Sequence, residues 1–170
     1  MEKYPDTWPQ FYTATILQWK PLLSQDKYKQ KIIESLQYLV ANKRITLYAF
    51  VIMSNHIHLI WQALPGNTPL KVQASFMKFT AQQIKFDLIK NHPLVLEKFK
   101  VDAADRQYQF WERNPLGIDL YSSPVFMQKL EYIHWNPVKA GLCNLPEEYY
   151  YSSAKFYHTG IDQFEMLTHC

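Results

Sequence analysis

The segment YAFVIMSNHIHLIW, Tyr48 to Trp61, restricts the possible folds more than any other part of the sequence. Two runs of β-branched, aromatic and aliphatic residues flank a Ser-Asn pair, and this order predicts a β-hairpin with strands at 45–53 and 57–62. His56 and His58 are two residues apart beside the turn. Alternate residues of a strand point to the same face, so we expect the two imidazoles to project side by side.

The remaining pattern predicts an α+β fold in the order β-α-β-β-α-β-α. Further strands are predicted at 13–19 and 108–111. Helices are predicted where a capping residue precedes apolar residues at helical spacing, or where a cap is followed by proline; these starts are Ser24, Thr68 with Pro69, and Ser123 with Pro124. Asn42-Lys43-Arg44 ends the first helix, and Pro137 is expected to stop the last one. The arrangement favours an antiparallel sheet with helices packed on one face.

Composition sets limits on the class of protein. A chain of 170 residues that is 48% hydrophobic is long enough for a buried core, and we expect one domain over 1–170. No apolar run approaches the roughly 20 residues that span a bilayer, and the start, MEKYPDTWPQ, has no signal or transit pattern. With only Cys143 and Cys170, a reducing, cytoplasmic setting is expected. The net charge of +3 permits an anionic partner without requiring one.

The histidine pair has two interpretations, a metal site or two partly exposed strand histidines. The segment SSPVFMQKLEYIHWNPVKAGL bears on the choice, because in a helix it places Gln128, Tyr132 and Asn136 on one face. A tyrosine hydroxyl can attack phosphorus when a cation neutralises the phosphate, and an amide oxygen can join two histidines around a metal. The alternative is that Tyr132 is a packing residue and that Asn136 caps a helical turn.

Several stretches together resemble one known family. The histidine box VIMSNHIHLIW resembles that of the IS200/IS605-like single-tyrosine (Y1) transposases. The tyrosine motif EYIHWNPVKAGL resembles the branch associated with repetitive extragenic palindromes (REP), as do FMKFTAQQI and PEEYYYSSAKFY. The resemblance covers about 13–157, the expected core of the domain.

This resemblance implies a ferredoxin-like sheet of the HUH nuclease type and a specific chemistry. Tyr132 would attack single-stranded DNA beside a hairpin or palindromic element and form a 5′-phosphotyrosine link. His56 and His58 would hold Mg²⁺ or Mn²⁺, with Asn136 as the third ligand and Gln128 as its rival. Two positions depart from the family: Ser54 stands where proline is usual, and Asn136 where the insertion-sequence transposases carry glutamine.

Basic residues offer a surface for the DNA. Lys71, Lys78 and Lys85 recur every seven residues on the long second helix, where they form either a phosphate-binding stripe or a solvated face. Lys139 follows Tyr132 and is expected to contact the bound strand. Trp111, Arg113 and Tyr121 are either base-stacking surfaces or, as we favour, core.

Two other function classes remain open, and so does the oligomeric state, monomer or homodimer. A non-catalytic nucleic-acid-binding module would bind equally well in the presence of a chelator. A metal-dependent phosphodiesterase that uses water would form no covalent adduct.

Overall fold

The computed structural model describes residues 6–170 of the chain. This part contains four strands and five α-helices, joined by loops and 3₁₀ turns. Residues 1–5 of the predicted domain lie outside this part. The strands are β1 (Gln10–Thr15), β2 (Ile45–Ile52), β3 (His56–Ala63) and β4 (Leu116–Asp119). The helices are α1 (Asp26–Ala41), α2 (Pro69–Asn91), α3 (Pro93–Glu97), α4 (Ser123–Lys139) and α5 (Ala154–Thr159). The strands pair antiparallel in the order β2-β3-β1-β4.

Both faces of the sheet are covered. The apolar residues of α1 and α2 pack on one face, against the side chains of Tyr12, Leu59 and Trp61 among others. Leu130 and Ile133 of α4 pack on the opposite face in a second cluster. The α+β fold with an antiparallel sheet is confirmed. Packing on one face holds for α1 and α2 but is wrong for α4, because β2 and β3 carry apolar residues on both sides.

A β-bulge at Tyr48 explains how β2 supplies both clusters. Leu47 pairs with Trp61 but Ala49 pairs with Ile60, so Tyr48 is an extra residue in the ladder. The extra residue reverses the alternation of the strand. As a result Phe50 belongs to the cluster of α1 and α2, whereas Ala49 belongs to that of α4. The predicted hairpin between β2 and β3 is confirmed.

The first strand lies earlier than predicted. It was expected at 13–19 but occupies Gln10–Thr15, and Leu17–Trp19 form a 3₁₀ turn. Thr15 pairs with His56, the first residue of β3, so no partner strand remains beyond it. The chain turns there instead, and the Ile16 N–H donates to the Asn55 carbonyl of the hairpin turn at 2.8 Å.

The fourth strand was predicted in the wrong place. Residues 108–111 make only isolated bridges, whereas β4 is formed by Leu116–Asp119. All four residues of β4 are exposed at the edge of the sheet. The short LGID sequence therefore lacks the alternation by which a strand is recognised.

The helix ends are partly as predicted. Thr68 caps α2 by accepting a hydrogen bond from the Lys71 N–H, with Pro69 in the first turn. Ser24 and Ser123 are not the capping residues; Gln25 and Ser122 precede α1 and α4 without side-chain caps. Pro137 does not stop α4, which continues for two more residues to Lys139. The proline removes one backbone N–H, and so little of the helix follows it that the loss is tolerated. Within 6–170 no helix has both the length and the apolar character needed to cross a membrane.

Candidate functional site

The two histidines lie together on the sheet face that α4 covers. Their ring centroids are 4.8 Å apart, and His58 stacks on Phe11 of β1 at 5.4 Å. His58 is buried and His56 is partly exposed. The same-face arrangement that the alternation predicts is therefore what β3 forms.

Each imidazole has a hydrogen-bond partner at Nδ1. Thr13 Oγ1 lies 2.7 Å from Nδ1 of His58, its partner in the β1–β3 register. Asn55 Oδ1 lies 2.7 Å from Nδ1 of His56, and Asn55 Nδ2 donates to the Trp19 carbonyl at 3.3 Å. Because the amide oxygen can only accept, Nδ1 of His56 carries the proton, and Thr13 can accept from His58 in the same way. The Nε2 atoms then keep their lone pairs, which is the state that binds a cation.

Both rings are held in the neutral form. Burial lowers the pKa of His58 to about 3, and the charges of His56 and Lys129 act in the same direction. Burial also lowers the pKa of His56, while a side-chain interaction with Asn136 opposes this shift. A lowered histidine pKa means that protonation requires a lower pH than in solution. The pair therefore offers two unprotonated imidazoles at neutral pH.

Tyr132 of α4 reaches this pair from the other layer. Its ring meets His58 edge-on at 5.3 Å and Phe11 at 6.0 Å, yet 43% of the residue is exposed. Lys129 Nζ and Lys139 Nζ lie 5.8 and 5.9 Å from the centroid of the tyrosine ring. A partly exposed tyrosine ring thus lies beside the histidine pair and two ammonium groups, and the ammonium groups can attract an anion.

The structure separates the two amide candidates. Asn136 lies near His56, as its effect on the pKa of that histidine shows. Gln128 lines a different groove of α4, together with Glu131, His134 and Trp135. Asn136 is therefore brought to the histidine pair, and Gln128 is not.

The donor set suits a divalent cation of intermediate hardness. Between residues 6 and 170 no three His, Cys, Asp or Glu residues cluster as a metal site. Two imidazoles and one amide oxygen are the donors near Tyr132. Imidazole suits Mn²⁺ better than Mg²⁺, which prefers oxygen ligands and retains water. The residues therefore fit a divalent metal.

The predicted lysine stripe falls partly in a groove of about 670 Å³ between α2 and the loop before β4. Lys78 and Lys85 line this groove, and Lys85 Nζ lies 5.5 Å from the Tyr108 ring centroid. Arg106 and Arg113 line it as well, and both form ion pairs with Asp105. Lys71 is exposed near the start of α2 and does not line the groove.

The three candidate stacking residues differ in their surroundings. Trp111 is buried and its Nε1 donates to Thr80 Oγ1 at 3.1 Å, as expected for core. Arg113 is exposed and Tyr121 is 66% exposed, so the favoured core interpretation is wrong for these two residues.

Sequence reasoning missed five residues at the site: Phe11, Thr13, Trp19, Asn55 and Lys129. Only Lys129 carried a usable signal, because a residue three positions before Tyr132 lies on the same side of a helix. The contacts of Phe11 and Thr13 depend on how β1 pairs with β3, which the local sequence does not specify.

Comparisons with known proteins identify the family and the fold. The sequence profile of the family described as "Transposase IS200 like" matches residues 15–101. A REP-associated tyrosine transposase bound to a REP hairpin has a similar structure, with a TM-score of 0.67, 14% identity, and coverage of 99% of this chain and 92% of that one. A candidate transposase from Deinococcus radiodurans R1 gives a TM-score of 0.52 at 14% identity, covering 78% of this chain and 95% of that one. The search of curated proteins finds no match.

Proposed function

The chain belongs to the IS200-like transposase family, and from this premise we propose that it cuts and rejoins single-stranded DNA through Tyr132. The family assignment rests on residues 15–101, which include both histidines but end before the tyrosine. The observation that supports the role of Tyr132 is its edge contact with His58 at 5.3 Å. That contact places the partly exposed tyrosine ring against the histidine pair, and no other tyrosine ring contacts either histidine within 6–170.

The proposed step is an in-line displacement at phosphorus. The Tyr132 Oη–P bond forms and the P–O3′ bond breaks, leaving a 5′-phosphotyrosine and a free 3′-hydroxyl. The phenolic proton leaves to solvent through the exposed side of the ring, and the departing O3′ gains a proton. Attack by a 3′-hydroxyl on the phosphotyrosine reverses these changes and rejoins the strand.

We assign His56, His58 and Asn136 as the residues that hold a divalent metal, with Mn²⁺ favoured over Mg²⁺. A bound divalent cation supplies charge neutralisation at the phosphate. Thr13 and Asn55 hold the imidazoles with their Nε2 lone pairs available. Lys129 and Lys139 place positive charge beside Tyr132, where the phosphate must approach.

The proposed substrate is single-stranded DNA next to a hairpin. In a continuous duplex the neighbouring nucleotides are held in base pairs, which restricts how the phosphate can align with Tyr132. A single strand can instead bend to reach the exposed side of the Tyr132 ring. The structurally similar REP-associated transposase is bound to a REP hairpin, and we extend this substrate class to the present chain. The Lys78–Lys85 groove is the proposed contact for the hairpin backbone, and a cytoplasmic location follows from access to such DNA.

The test is adduct formation with labelled oligonucleotides. Hairpins with randomised single-stranded flanks are incubated with the protein and Mn²⁺, and protein–DNA species that survive denaturation are counted. We expect an adduct with the native protein and with Tyr150→Phe, a matched control at an exposed tyrosine remote from the histidines. Tyr132→Phe should bind DNA without forming the adduct. Cleavage without an adduct in Tyr132→Phe would instead identify water as the nucleophile.

A further inference from the structure

Trp19 is an exposed aromatic residue at the end of the site opposite Tyr132. It is 62% exposed, and its ring meets His56 edge-on at 5.9 Å. Tyr132 contacts His58. The two histidines thus lie between the tryptophan and the tyrosine in one row of ring contacts.

The backbone holds Trp19 in an unfavourable conformation. Gln18 and Trp19 have φ values of 54° and 57°, the left-handed region that residues other than glycine rarely adopt. Glu112 Oε1 accepts a hydrogen bond from the Gln18 N–H at 2.6 Å, and the Trp19 N–H donates to the Ile16 carbonyl at 2.9 Å. Several contacts therefore maintain a conformation that leaves a large apolar ring in water.

Asn55 links this turn directly to the histidine pair. Its Nδ2 donates to the Trp19 carbonyl, and its Oδ1 accepts from Nδ1 of His56. One side chain therefore fixes both the tryptophan backbone and the orientation of an imidazole. The backbone of Trp19 is therefore tied to the residue that orients His56.

The direction of the reaction indicates which part of the DNA reaches Trp19. In an in-line displacement the leaving oxygen lies on the far side of phosphorus from the attacking oxygen. With Tyr132 as the nucleophile, the strand that ends in the leaving O3′ must lead away from Tyr132. Across the histidine pair, that direction is towards Trp19.

We propose that Trp19 is a stacking platform for the base on the 5′ side of the cleaved phosphodiester. This inference rests on the proposed function. Base–aromatic stacking tolerates any base, so the platform positions the strand without reading its sequence. It holds the leaving end in place, which also keeps the 3′-hydroxyl near for rejoining.

The experiment uses a binding readout and a chemical readout. Hairpins with randomised single-stranded flanks are selected for binding to Tyr132→Phe, and 2-aminopurine is then placed at each flank position of a selected oligonucleotide. Stacking quenches its fluorescence. We expect quenching at the position 5′ of the cleaved bond with Tyr132→Phe alone or with added Trp19→Phe, and its loss with added Trp19→Ala. Tyr38→Ala, an exposed aromatic on the remote helix α1, is the matched control and should retain quenching.

In protein that keeps the native Tyr132, Trp19→Ala should slow adduct formation about 5- to 150-fold, the range expected for the loss of one stacked base. An abasic residue at the same position should cause the same loss with the native tryptophan, and the two changes together should cost no more than either alone. Unchanged quenching in Trp19→Ala, or losses that multiply, would overturn the platform. Quenching that depends on Trp19 without any adduct would overturn the tyrosine chemistry and leave the platform supported.

Discussion

Replacing Thr13 with valine tests whether the neighbouring strand orients His58. The change keeps the shape of the side chain and removes the oxygen 2.7 Å from Nδ1 of the imidazole. Because His58 is 5% exposed, water cannot easily replace that oxygen. A buried donor without a partner costs about 1 to 3 kcal/mol, and the ring can avoid this cost by moving its proton to Nε2. That tautomer has its lone pair on Nδ1 and none on Nε2, the nitrogen available to a metal, so we expect Mn²⁺ affinity to fall about 10- to 100-fold.

The assay is calorimetric titration of Mn²⁺ into the folded variants. Thr46→Val is the matched control, because Thr46 is a partly buried threonine of β2 that pairs with Gln62, away from the histidines. It should bind Mn²⁺ like the native protein, and Thr13→Ser, which restores the hydroxyl, should recover most of the affinity. Native affinity in Thr13→Val would refute the reasoning that this hydrogen bond sets the tautomer.

Three further predictions follow from the charges of the site and its surroundings. Burial lowers the pKa of His58 to about 3 and also lowers that of His56. Mn²⁺ binding should therefore fall by less between pH 7 and about pH 5.5 than the roughly tenfold that one imidazole of unshifted pKa would cause; a tenfold loss in the titration would contradict this. Burial lowers the pKa of His134 to about 4, so the unfolded chain takes up a proton below pH 6.5, and the free energy of unfolding should fall by ~3 kcal/mol between pH 6.5 and 4 from this residue alone. Urea unfolding of His134→Gln should show a shallower fall over that range, and an equal fall would exclude the residue as the source. Converting Lys78 and Lys85 to glutamine should reduce the slope of log affinity against log salt by about 1.8 for the double-stranded stem of the hairpin, whereas Lys31→Gln on α1 should leave it unchanged; an unchanged slope in the double variant would make the groove a solvated face.

The sequence alone predicted the features that depend on local pattern. The alternation in β3 placed His56 and His58 on one face, and the turn residues Ser54 and Asn55 marked the hairpin. Thr68 followed by Pro69 located the start of α2. In each case the residues that decide the structure are within a few positions of one another, so spacing carries the information.

Features that depend on distant pairing could not be predicted in this way. Thr13 meets His58 only because β1 pairs with β3 in one register. Gln128 and Asn136 both lay within reach on a helical wheel, and only the packing of α4 on the sheet separates them. Trp19 was assigned to a strand, because nothing in its neighbours signals a left-handed turn that Glu112 and Asn55 hold from outside.

The identity of the residue that carries the DNA tests the central claim most directly. The denaturation-resistant adduct is digested with protease and nuclease, and the modified peptide is sequenced by tandem mass spectrometry. The account predicts a nucleotide attached through its 5′-phosphate to Tyr132, together with a free 3′-hydroxyl on the released strand. A nucleotide on another tyrosine, such as Tyr121 or one of Tyr149 to Tyr151, or a 3′-phosphate linkage at Tyr132, would contradict it.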